Sequence, residues 1–174
     1  NVGRVLDTLD ALKLTSNTIV IFTSDHGYNL GEHGTWFKGN AIRILKQNPP
    51  KQWADIPPQR RPNLWDTSLR VPTAIRWPGV IEPGTVLDQT FSNLDWFPTL
   101  LAMAGIKPDQ KLKLRGDDFT PVLTGRTSRW DSDIYLQYSM KHQATTHMRG
   151  VRTPNWKLMI DLQHEGRVEL YDLQ

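Results

Sequence analysis

Residues 17–40 read NTIVIFTSDHGYNLGEHGTWFKGN. The run from Ile19 to Phe22 is apolar on both faces and lies between Thr18 and Thr23, a composition that suits a buried central strand of a parallel sheet. It stops abruptly at Asp25 and His26, and Gly27, Gly31, Gly34 and Gly39 then follow, with Lys38 among them. So many glycines exclude a helix interior, and residues 24–41 are expected as loop or short turns. In open α/β sheets ligands sit beyond the carboxyl ends of the strands, which is where Asp25 and His26 stand.

Upstream, NVGRVLDTLDALKL places Val2, Val5, Leu6, Leu9 and Leu12 at helical spacing, so an amphipathic helix is expected from the first residues. Thr15-Ser16-Asn17 then breaks it, and helix, turn and buried strand make half of an α/β unit. The N-terminus has neither a basic start nor a long apolar run, and so reads as no signal peptide but as mid-structure, a piece of a larger protein. Downstream, residues 42–62 form a proline-rich, charged excursion, of a length that is usually functional or disordered. A strand is expected over Val71–Trp77, followed by turn signals in PGVIEPG. A helix is expected around Phe97–Met103, with Ser92 or Asn93 as N-cap and Gly105 as the stop. GDDFTPVLTG reads as a short helix, whose Asp117-Asp118 pair is an N-cap signal. From Ile134 onward short alternating stretches predict an antiparallel meander. The fold class is therefore α/β followed by a small antiparallel sheet, with a boundary that separates 1–127 from 128–174.

The 174 residues carry a formal charge of +3 with scattered basic residues, which gives little support to nucleic-acid binding. There is no cysteine, hence no disulfide, thiolate metal site or cysteine nucleophile within the chain. No apolar run approaches the roughly 20 residues that span a bilayer. Seven tryptophans and 38% hydrophobic residues describe a globular chain.

Asp25 offers a hard anionic oxygen and His26 an imidazole nitrogen, so together they could hold part of a divalent cation's shell, with further ligands from elsewhere. An Asp-His-Gly turn could equally be plain loop structure, in which Asp bonds backbone amides. Lys38 alone could be a solvated lysine, His33 a structural histidine, and His142 and His147 surface residues. It is the conjunction of strand end, Asp-His pair, glycine loop and lysine that favours chemistry.

TSDHGYNLGEHGTWFKGN closely resembles a signature region of the type I sulfatases, in the alkaline phosphatase superfamily. RVPTAIRWPGVI, LDWFPTLLAMAGI, MRGVRTPNWKLM and ELYDL resemble, in order, the strand and turn, helix and small C-terminal sheet of that family. The resemblance covers nearly the whole chain apart from residues 42–62, and it is to the C-terminal half of a sulfatase with an alkaline-phosphatase-like, mainly parallel sheet. It implies that Asp25 and His26 ligate a divalent cation, commonly calcium, and that Lys38 points its ammonium at the sulfate ester oxygens. His33 matches a position facing substrate or shaping the loop, and Arg70 a structural ion pair, with Asp66 as partner. The family's nucleophile, formylglycine made within a C/S-x-P-x-R motif, has no counterpart in these residues and would lie upstream. The resemblance thus implies hydrolysis of a sulfated small molecule or glycan by an exported, periplasmic, secreted or lysosomal protein. The alternatives are a phosphodiesterase or phosphonate monoester hydrolase of the same superfamily, or a non-catalytic sulfatase-like module. The excursion, with Trp53 and Arg60-Arg61, is a candidate pocket wall.

Overall fold

The computed structural model describes residues 1–39, 43–44, 62–141, 145–164 and 166–174. The excursion, apart from a two-residue strand and Pro62, and His142 lie outside them. In order come α1 (Val2–Ala11), β1 (Val20–Phe22), β2 (Asn29–Leu30), β3 (Thr35–Phe37), β4 (Arg43–Ile44), α2 (Asp66–Leu69), β5 (Ala74–Arg76), α3 (Trp96–Met103), α4 (Thr120–Leu123), β6 (Ile134–Lys141), β7 (Thr145–Arg152), β8 (Trp156–Asp161) and β9 (Val168–Asp172). They form two compact units: Asn1–Thr23 with Pro72–Asp131, and Ser24–Val71 with Ser132–Gln174.

In the first unit α1 forms where the apolar spacing predicts it. It closes with a bond from the Leu14 amide to the Leu9 carbonyl and one from Lys13 to Asp10, the Schellman pattern, which puts Lys13 at φ 56. α3 and α4 end the same way, with Gly105 and Gly125 both at φ 68. β1 differs from its expected setting: its pairing is antiparallel, Ile21 opposite Ile75 of β5, and Phe22 is 48% exposed. An apolar strand hidden on both faces needs cover on both, and the described residues of this chain do not provide it there. The α3 cap also differs. Asp95 precedes the helix, and its carboxylate accepts the Ser92 amide at 2.8 Å and the Asp117 amide at 2.9 Å. It thereby fastens the segment before α4 as well. The expected Asp117-Asp118 cap is not met, because Phe119 occupies the N-cap position; Asp118 stands one residue earlier and accepts the Thr120 amide at 2.8 Å. Phe119, Val122 and Leu123 are the buried centre of this unit, packed by Ile75, Ile81, Phe91, Met103 and Trp130.

In the second unit the predicted meander is a four-stranded antiparallel sheet in the order β6-β7-β8-β9. The alternation in β6, IYLQYSMK, turns Ile134, Leu136, Tyr138 and Met140 to the covered side. There Met148 and Met159 pack on Leu64 and Trp65, with Leu69, Leu136, Tyr138 and Tyr171 around them. Residues 62–69, buried or partly buried, therefore line the covered side of the sheet. Asp66 opens α2 and pairs with Lys157 at 2.6 Å and with Arg152 at 3.3 Å. The expected partner, Arg70, meets Asp66 only through a backbone bond, since its position at the end of α2 exposes it.

Candidate functional site

Residues 24–41, expected as loop, contain a small antiparallel hairpin in which Asn29 lies opposite Phe37 and Leu30 opposite Trp36. Its turn is made by Gly31 at φ 123, His33 at φ 54 and Gly34 at φ 66. Because the hairpin folds the chain back on itself, Lys38 returns to His26, with Nζ 2.6 Å from Nε2.

The histidine's tautomer follows from its other nitrogen. Nδ1 lies 2.8 Å from the Gly27 carbonyl, which can only accept, so Nδ1 carries the proton and Nε2 presents a lone pair. Asp25 Oδ2 stands 3.4 Å from that Nε2. Two acceptors facing one another need a cation between or beside them, and here the Lys38 ammonium supplies one. Ser24 Oγ donates to Asp25 Oδ1 at 3.3 Å and is 3.1 Å from the His26 carbonyl. Slight desolvation would raise the Asp25 pKa, but bonds from its own backbone, the neighbouring imidazole and the Ser24 hydroxyl outweigh it and hold it below its ordinary value. The carboxylate is 82% exposed and His26 34%.

The pair is clamped from behind. A Cβ on Gly27 would fall 2.3 Å from the Thr67 carbonyl oxygen and 2.9 Å from that of Arg70, and the Gly27 amide donates to Ser68 O at 3.0 Å. Only glycine allows that approach. Asn29, fully buried, donates through Nδ2 to the Phe37 carbonyl and to Ser68 Oγ, both at 2.8 Å, while Thr67 donates to its Oδ1. Ser68 Oγ donates on to Asn63 Oδ1 at 2.7 Å, and the Asn63 amide donates to the Gly39 carbonyl at 2.7 Å. Phe37 itself sits at φ 105, a strained backbone for a non-glycine residue that costs on the order of 1–3 kcal/mol. The sequence carries no sign of this buried polar support, since Asn63, Thr67 and Ser68 read as ordinary polar residues beside a short helix.

His33 stacks on Trp65, with ring centroids 4.1 Å apart and planes at 24°. Covering that face pushes the imidazole pKa down against the pull of Glu169 and Glu32, so the ring is neutral at neutral pH. His147 lies on β7, 2.7 Å from Ser139 Oγ.

No group of three or more His, Cys, Asp or Glu side chains with metal-binding geometry occurs among the described residues. Asp25 and His26 nevertheless fit a divalent cation as two of its ligands. Donors at about 2.4 Å and a right angle on one ion lie about 3.4 Å apart, and an imidazole fixed by Nδ1–H to a carbonyl is the usual orientation for Nε2 ligation.

The chain belongs to the sulfatase family. The family model described as Sulfatase matches residues 1–106 and the one described as N-sulphoglucosamine sulphohydrolase, C-terminal, matches residues 60–174. Steryl-sulfatase of Rattus norvegicus is 36% identical over 137 residues, 79% of this chain and 22% of its own length. N-acetylglucosamine-6-O-sulfatase of Bacteroides thetaiotaomicron is 29% identical over 180 residues, 100% of this chain and 28% of its own. A protein solved in complex with its substrate D-glucosamine-2-N,6-O-disulfate superposes with a TM-score of 0.75 at 28% identity, over 99% of this chain and 31% of that one. The chain thus spans less than a third of each of these relatives, and its fold is the corresponding part of the alkaline-phosphatase-like α/β fold with its small antiparallel C-terminal sheet.

Proposed function

We propose that this chain supplies the cation-holding and anion-gripping part of a sulfuric ester hydrolase. The observation that carries the reading is the convergence of Asp25 Oδ2 and Lys38 Nζ on one lone pair, that of His26 Nε2, at 3.4 and 2.6 Å. Asp25 and His26 hold a divalent cation, with calcium as the family's common choice, and that ion when bound withdraws electron density from a sulfuryl oxygen. With His26 Nε2 engaged by such a cation, the Lys38 ammonium would address the ester oxygens and offset the charge that grows there during displacement at sulfur. His33, neutral and braced on Trp65, offers a hydrogen-bonding edge to the substrate. The attacking formylglycine belongs to sequence upstream of Asn1. A sulfated sugar is the favoured substrate class, supported by the relative named for N-acetylglucosamine-6-O-sulfate chemistry and by the neighbour bound to a disulfated glucosamine.

The test is made on the complete protein with matched substrates. Sulfate release from a glucosamine sulfate should exceed phosphate release from the corresponding phosphodiester, and Lys38→Ala should lower kcat/KM about 10²- to 10³-fold with an unchanged circular dichroism spectrum. A phosphodiesterase rate above the sulfatase rate, or full turnover by Lys38→Ala, contradicts the reading.

A further inference from the structure

Lysine has four rotatable side-chain bonds, so an ammonium can be aimed reliably only if the backbone that carries it is fixed. Both sides of Lys38 are fixed, and by one set of buried groups. The carbonyl of the Phe37–Lys38 peptide is held by Asn29 Nδ2 at 2.8 Å. The same nitrogen donates to Ser68 Oγ at 2.8 Å, and Ser68 Oγ donates to Asn63 Oδ1 at 2.7 Å. Asn63 then closes the path through its amide, 2.7 Å from the Gly39 carbonyl. Asn29 and Asn63 are fully buried and Ser68 is 3% exposed, so water does not compete for these bonds. Asn29 also faces Phe37 across the hairpin, and Phe37 holds the strained φ of 105 that sets the exit direction of the chain into Lys38.

We propose that Asn29, Ser68 and Asn63 form a positioning circuit for Lys38, acting on the reaction through the lysine and not by contact with substrate. The inference rests on the reading of Lys38 as the group that grips the ester.

The experiment is a double-mutant cycle in the complete protein. Asn29→Asp preserves the side chain's size and the bond from Thr67 but sets an acceptor against the Phe37 carbonyl. It is expected to lower kcat/KM about 10- to 100-fold where Lys38 is present, and less than about threefold on a Lys38→Ala background. Equal losses in both backgrounds overturn the circuit, because a general structural defect acts whether or not the lysine is there. If Asn29→Asp does not fold, Ser68→Ala, which cuts the path between the two asparagines, repeats the cycle under the same criterion. Undiminished turnover by Lys38→Ala alone would instead overturn the role of the lysine, so the two failures are distinguishable.

Discussion

Lys157 is 2% exposed and has its ammonium 2.6 Å from Asp66, so removing the carboxylate strands a buried charge. Both pKa values shift down, which favours the charged form of Asp66 and disfavours that of Lys157. Burial works to raise the Asp66 pKa, but the bond and charge of Lys157 and the charge of Arg152 bring it below 3.8. Burial also depresses Lys157 below 10.5, more than Asp66 restores it. The short contact and the second cation, Arg152, argue for an ionised pair at neutral pH. Asp66→Asn should cost about 3 kcal/mol at pH 7, towards the low end for a broken buried pair because Asp66 keeps partial exposure. Since the folded-state pKa of Asp66 is lowered, its contribution is fully present above 3.8 and fades as pH falls through the folded value. Chemical denaturation from pH 7 to pH 3 should therefore show wild type and Asp66→Asn converging in acid, and a gap that stays constant would refute the pairing. Asp25, His26 and Lys38 stood out in the sequence because they lie within fourteen residues and their side chains suit no core. The partners of Asp66 did not, because Arg152 and Lys157 are 86 and 91 residues away and only the sheet brings them back.

The hairpin of β2 and β3 has strands of two and three residues, too short for a period of two to register, so glycine content alone made the segment look like loop. What fixes it is the close approach of Gly27 to the Thr67 carbonyl, which would leave an added methyl carbon only 2.3 Å from that oxygen. Gly27→Ala should push Asp25 and His26 off that support, destabilising by about 1–3 kcal/mol, and should weaken turnover beyond the loss of folded protein, read by kinetics normalised to the folded fraction. Helix ends were more legible, as Gly105 shows, because a left-handed residue after a helix has a strong chemical preference. The closing turn of α1 breaks that preference with Lys13 at φ 56. Lys13→Gly should accordingly raise stability by about 1 kcal/mol, measurable as a higher midpoint in urea. Unchanged stability would mean that the helix end frays in solution.

The chain passes between its two units after Thr23, Val71 and Asp131; the first two crossings fall inside TSDHG and RVPTAI, where no shift in composition marks them. The meander was legible from its alternation, while the expected burial of β1 on both faces was not met. Apolar residues remain outward in both units: Val2 and Val5 on α1 with Leu12 at its C-cap, and Tyr135, Leu158 and Leu170, which share one row across the open face of the sheet. Exposed patches of this kind attract apolar partners. The 174-residue chain in isolation should enhance the fluorescence of an apolar dye such as ANS, and with no nucleophile motif in its sequence it should release no sulfate. Turnover by the isolated chain would contradict the assignment of the nucleophile to upstream sequence.

Everything proposed for the site depends on Asp25 and His26 addressing one cation while Lys38 addresses the substrate. Calorimetric titration of the chelator-treated complete protein with calcium separates these roles directly. Asp25→Ala and His26→Ala should each weaken the cation's affinity by roughly tenfold or more, whereas Lys38→Ala should bind it at least as tightly as wild type, having lost the ammonium that competes for Nε2. Wild-type affinity in both ligand variants, or a loss confined to Lys38→Ala, would contradict a shared cation site.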